Sequence, residues 1–157
     1  MTRRPFLAAL SVFGLLPRLA AAQAGAPKIE PLQLADSEWK KRLSPAAYEV
    51  LRHEGTEYPG SSPLNHEKRK GRFLCAGCEL PLFGSETKFE SGTGWPSFWR
   101  ALPHALVNRA DHSLLMERTE VLCARCGGHL GHVFDDGPKP TGLRYCMNGL
   151  ALKFRPA

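Results

Sequence analysis

Long apolar runs are missing from this chain. The stretch from Phe6 to Leu16 is too short to cross a bilayer, and Pro17-Arg18 closes it. A strong charge of one sign is missing too. Lysine and arginine number 21 against 15 acidic residues, and they cluster only in His66-Glu67-Lys68-Arg69-Lys70. That balance weighs against a nucleic-acid partner. No segment repeats beyond two short cysteine knuckles. No strand–helix–strand alternation surrounds either knuckle, which disfavours a thioredoxin-like disulfide exchanger. With 13 prolines and 15 glycines in 157 residues, turns and short strands are expected rather than long helices.

Residues 1–23 read as a secretory signal. Arg3-Arg4 precede a short apolar centre, and small residues end in Ala22-Gln23-Ala24. Thr2-Arg3-Arg4-Pro5-Phe6-Leu7 resembles the twin-arginine signal of bacteria, a route for proteins already folded. An exported, periplasmic protein is therefore expected. Removing this segment takes away three of the basic residues and no acid, so the net charge falls from +6 to +3. Residues 24–35 read as a loosely held linker and 36–157 as one domain.

Asp36 or Ser37 is expected to cap a short helix through Leu43. Ser44-Pro45 starts a second, ended by Gly55. Thr56 to Lys70 reads as a polar loop, with His53 and His66 on the surface. From Gly71 the chain turns β-rich. Short strands are expected at 72–74, 82–83, 88–89, 105–107, 114–116 and 117–122. Leu143 to Phe154 reads as strand, turn at Asn148-Gly149, and second strand.

Four of the five cysteines form two Cys-x-x-Cys pairs, Cys75/Cys78 and Cys123/Cys126, with 44 residues between them. An oxidising compartment allows disulfides. Two such pairs in one small domain fit a closed, four-thiolate structural zinc site better, one ion clipping distant parts of the fold together. Cys146 is left over. On a pleated strand Arg144, Cys146 and Asn148 share a face, and a cation and an amide beside a thiol favour its nucleophilic form. His129 and His132 sit in a glycine-rich bend just past the second knuckle. They are either further metal ligands or proton donors near Cys146. Trp95, between Gly94 and Pro96, is placed to line an opening, while Phe98 and Trp99 read as core.

Cys75-Ala-Gly-Cys78, Ser91-Gly-Thr-Gly-Trp-Pro-Ser-Phe98, Arg118-Thr-Glu-Val121, His129-Leu-Gly-His-Val-Phe-Asp-Asp-Gly-Pro138 and Arg144-Tyr-Cys-Met-Asn148 together closely resemble the B-type methionine sulfoxide reductases. The resemblance covers about Asp36 to Phe154. It implies a mainly β fold of two antiparallel sheets, a small sandwich or open barrel with short N-terminal helices and structural zinc on Cys75, Cys78, Cys123 and Cys126. It implies Cys146 as nucleophile, His132 with His129 and Asn148 around the sulfoxide oxygen, Arg144 favouring thiolate and Asp136 orienting Arg144 or a histidine. Trp95 and Phe134 would bind the substrate methyl. Substrates would be oxidised proteins or peptides, the reductant a thioredoxin-like thiol, and the enzyme a monomer. Many members carry a resolving cysteine where this chain has Thr93, so an external thiol is expected to reduce Cys146 directly. The competing reading is a non-enzymatic zinc module that docks a partner.

Overall fold

The computed structural model describes residues 29–112 and 117–157. The expected signal at 1–23 and the expected strand at 114–116 lie outside the described residues. Among the described residues no helix is long and apolar enough to cross a membrane.

Two short helices come first. Helix α1 spans Asp36–Arg42, and its cap is Ala35 without a side-chain hydrogen bond, not Asp36 or Ser37. Asp36 is occupied elsewhere: its carboxylate takes a hydrogen bond from the Tyr48 hydroxyl and pairs with Lys40. Helix α2 spans Pro45–His53. Ser44 Oγ accepts from Ala47 N at 3.2 Å, the expected cap, worth about 1 kcal/mol. The helix ends at Glu54, in the left-handed region, one residue before the expected glycine. The expected linker is not loose where it is described. Leu32 and Leu34 pack on the core, and Leu32 N donates to Arg125 O at 2.6 Å.

The rest is β-structure, as expected. One antiparallel sheet has three strands: β1 (Gly71–Cys75) lies between β2 (Pro81–Gly84) and β9 (Leu152–Pro156). The other orders β3 (Lys88–Phe89), β4 (Ser97–Phe98), β8 (Arg144–Met147), β7 (His129–Phe134), β6 (Arg118–Cys123) and β5 (Leu106–Asp111). Phe83 of the small sheet stacks on Phe98 of the large one with centroids 4.2 Å apart, and Phe73 meets Phe98 edge-on. Such ring pairs add about 0.5–1.5 kcal/mol each beyond the area they bury. The turn after Asn148 does not make a hairpin. A 3-10 turn at Gly149–Ala151 carries the chain across to the small sheet, where β9 pairs with β1.

Candidate active site

The register of β8 sets the site. Tyr145 and Met147 point to the core, where Met147 is fully buried and Tyr145 meets Phe83. Strand alternation turns Arg144 and Cys146 the other way. Cys146 lies directly opposite His132 on β7 and Ser97 on β4. The β7 neighbour of His132 is Gly131, and only glycine fits there. Its φ is 152°, and a Cβ would fall 2.1 Å from the Cys146 carbonyl oxygen.

Cys146, His132, Asn148, Trp95, Phe134 and Arg118 line a cavity of about 150 Å³. A larger groove of about 630 Å³, near Leu43, Leu64 and Leu150, is lined by no thiol or imidazole. Cys146 Sγ lies 3.8 Å from Thr93 Oγ1. Burial pushes the Cys146 thiol above its ordinary value, and Thr93 and Arg144 pull it back without cancelling the burial. The sequence led us to expect a thiolate-favouring balance; half-burial reverses the net direction. Arg144 is itself held by Asp136, with Nε and Nη2 each 2.8 Å from a carboxylate oxygen, and its guanidinium lies over Phe134 at 4.4 Å. So Asp136 orients Arg144 rather than a histidine.

His132 carries a partner that no local pattern announced. Asp111 Oδ2, at the end of β5, lies 2.8 Å from His132 Nε2, and Arg118 Nη2 reaches the same oxygen at 2.7 Å. The carboxylate accepts from Nε2, so a second ring proton would sit on Nδ1. Burial lowers the imidazole's affinity for that proton, and the Asp111 hydrogen bond works against this. His129 is different. It is buried, packs edge-on to His132 with centroids 5.5 Å apart, and its Nδ1 lies 2.7 Å from Glu120. Glu120 also accepts from Arg109 Nε at 2.7 Å. His129 stands behind His132 and does not line the cavity.

Asn148 and Trp95 share a support, Glu57, in the loop read as polar. Glu57 N donates to Asn148 Oδ1 at 3.0 Å, and Glu57 O accepts from Trp95 Nε1 at 3.2 Å. Its carboxylate, buried, accepts from Gly149 N and from Leu150 N. One residue thus fixes the indole wall and the amide beside Cys146. Glu57→Ala leaves two N–H groups without acceptors, one buried and one half-buried, and is expected to cost about 2–4 kcal/mol. Glu57→Gln keeps one acceptor and is expected to cost about half as much; denaturant unfolding of the two variants checks the order.

The other four cysteines cluster at the ends of β1 and β6. All four sulfurs lie within 4.8 Å of one another, and Cys75–Cys126 and Cys78–Cys123 are 3.6 and 3.5 Å apart. These separations are too long for disulfides. A tetrahedron with metal–sulfur bonds of about 2.3 Å has edges of about 3.8 Å, which the cluster matches. The donor chemistry agrees. Without a cation the four resist ionising together: hydrogen bonding among the sulfurs drives Cys75 and Cys123 far up and Cys126 far down. The four residues fit a metal ion. The histidines stand outside this shell.

Known proteins resemble the chain over most of its length. A family model described as the SelR domain matches residues 43–156. A peptide methionine sulfoxide reductase MsrB of Leptospira interrogans is 52% identical over 122 residues, covering 77% of this chain and 93% of that one. A protein of the same name from Methanosarcina barkeri is 53% identical over 125 residues, covering 79% and 88%. Another, from Agrobacterium fabrum, is 50% identical over 123 residues, covering 78% and 91%.

Proposed function

The chain belongs to the SelR-domain family, and on that premise we propose that it reduces the R-sulfoxide of protein-bound methionine, and free methionine sulfoxide less well, through a sulfenic acid on Cys146. One observation carries the reading: a half-buried thiol opens into a small cavity between an imidazole and an indole. Trp95 and Phe134 offer faces to the polarised methyl group of the sulfoxide. The epimer that seats its methyl there turns its oxygen toward His132.

The Cys146 thiolate attacks the sulfoxide sulfur as the oxygen is protonated from His132 Nδ1. The hydroxyl then moves to the Cys146 sulfur as the substrate's S–O bond and the new S–S bond both break, so Cys146 is oxidised to Cys–S–OH and methionine leaves reduced to the thioether. Asp111 stabilises the imidazolium before transfer, and Arg144, held by Asp136, the thiolate. Asn148 is clamped on both sides, to Glu57 N and Leu130 O, so its part is to shape the wall. A thiol then attacks the sulfenic sulfur, releasing water and leaving a mixed disulfide; a second thiol frees Cys146. Since the other four cysteines form the metal cluster and Thr93 stands beside the sulfur, that thiol comes from outside, from a thioredoxin-like partner. Zinc on the four cysteines would supply a structural cross-link and no chemistry at the sulfoxide. We further propose export to the periplasm, which the signal-like pattern at residues 1–23 supports.

The test is one turnover of a methionine R-sulfoxide peptide without reductant, read by peptide mass spectrometry. One added oxygen on Cys146 is expected, and no turnover of the S epimer. An internal disulfide at Cys146 overturns the external-thiol scheme, and equal turnover of both epimers overturns the binding role of the indole wall.

A further inference from the structure

The side of Cys146 away from His132 holds a line of hydroxyl groups that the reaction above does not use. Thr93 Oγ1 is 3.8 Å from the sulfur and 2.8 Å from Ser91 Oγ. Ser91 Oγ is 2.7 Å from Ser97 Oγ, and Ser97 donates to the Trp95 carbonyl oxygen at 3.1 Å. Ser97 is fully buried and is the cross-strand neighbour of Cys146. Three hydroxyls in series, one end on the reacting sulfur and the other on a main-chain carbonyl, allow two ordered arrangements of their protons.

In the first, every proton points away from the sulfur. The thiol donates to Thr93, Thr93 to Ser91, Ser91 to Ser97, and Ser97 to Trp95 O. This arrangement suits neutral Cys146 and uses each donor once. In the second, all three hydroxyls have rotated. Ser97 donates to Ser91, Ser91 to Thr93, and Thr93 to the sulfur, which now has no proton of its own. The rotation gives up two neutral bonds, the weak one donated by the thiol and the one at Trp95 O, and gains one to a charged sulfur, roughly twice as strong as a neutral bond. No atom is exchanged; the thiol's proton leaves to solvent or to His132.

We propose that Ser97, Ser91 and Thr93 are a reversible hydroxyl chain that stabilises the Cys146 thiolate, with Thr93 as the catalytic residue that touches the sulfur and the serines as its positioning residues. The proposal rests on Cys146 being the reacting sulfur. It gives Thr93 a role of its own: the hydroxyl offsets part of the burial that pushes the thiol up. The charged or titratable groups around the sulfur are His132 on β7, Arg118 on β6, and Arg144 with Asp136. The variants below leave all of them in place.

The experiment is the pH profile of iodoacetamide alkylation at Cys146 in the metal-loaded protein, followed by mass spectrometry. It needs no sulfoxide, so its outcome is independent of the substrate reading. Thr93→Val keeps the shape and removes the hydroxyl. It is expected to raise the titration midpoint by about one pH unit, which slows alkylation at neutral pH about tenfold. Thr93→Ser is expected to stay close to wild type, and Ser91→Ala to shift upward by less than Thr93→Val. Unchanged thermal unfolding in Thr93→Ser and Ser91→Ala keeps the comparison valid if the valine variant folds poorly. Coincident profiles for wild type, Thr93→Val and Ser91→Ala overturn the proposal; so does Thr93→Ser shifting as far as Thr93→Val.

Discussion

Cys146→Ser is expected to lower turnover of a methionine R-sulfoxide peptide by more than about 10³-fold, with thermal unfolding unchanged. The size of the loss follows from the chemistry. A serine hydroxyl does not ionise near neutral pH, and it has no sulfur to accept the sulfoxide oxygen. Nor can another thiol substitute. Cys75, Cys78, Cys123 and Cys126 are buried among themselves at the far ends of β1 and β6. The fold loses little, because Cys146 is half-buried and lines a cavity instead of filling the core. In the wild type, kcat/KM is expected to be level between the two titrations and to fall as pH rises through the raised thiol titration, because the pair then has no proton left for the sulfoxide oxygen. The imidazole titration is pushed down and the thiol up, so the resting pair is neutral and the ionised pair forms with substrate bound. Assays of dabsylated R- and S-methionine sulfoxide with dithiothreitol measure both effects. Residual R activity above a few per cent in the serine variant removes Cys146 from the mechanism.

What the sequence made legible has a common cause. Each legible feature is local. The two Cys-x-x-Cys turns each aim a pair of sulfurs within four residues. The alternation of Arg144, Cys146 and Asn148 is decided by the pleat alone. Ser44-Pro45 carries its cap in two residues. The features that escaped depend on register between distant strands. Asp111 reaches His132 only because β6 lies between β5 and β7 with the observed pairing. Glu57 sits in a loop rich in polar residues, where a buried carboxylate leaves no periodic mark; the groups its carboxylate accepts from are about ninety residues away. The same holds for β9. Asn148-Gly149 reads as a hairpin turn, yet the buried carboxylate of Glu57 holds Gly149 N and Leu150 N and steers the chain into the other sheet. Ala35 displaced Asp36 as the helix cap because Tyr48 and Lys40 claim the Asp36 carboxylate.

The second large effect concerns the metal cluster. Removing zinc, or replacing Cys78 by serine, is expected to lower the thermal midpoint by more than about 15 °C and to abolish near-ultraviolet ellipticity at room temperature. Cys75 ends a strand of the small sheet and Cys123 ends a strand of the large one, so the ion would tie the two sheets together at one edge. Cross-linking residues 78 and 123 removes roughly 4 kcal/mol of chain entropy from the unfolded state on the loop-closure estimate, before any bond energy is counted. The first-helix layer rests on the same cluster: Arg52 of α2 donates to Cys126 O at 3.1 Å and lies over Trp39 at 5.0 Å. Loss of the ion leaves four crowded sulfurs that cannot share thiolate charge, so the knuckles open and Trp39 loses its packing. The active site follows, because β7 begins at His129, three residues past Cys126, and carries His132 to Cys146. Turnover and tryptophan ellipticity are therefore expected to fall together as a strong chelator strips one zinc per chain, measured by atomic absorption under conditions that keep Cys146 reduced. A metal-free protein that keeps its midpoint and its activity shows that the sheets hold the site unaided, and the cross-link has no structural role.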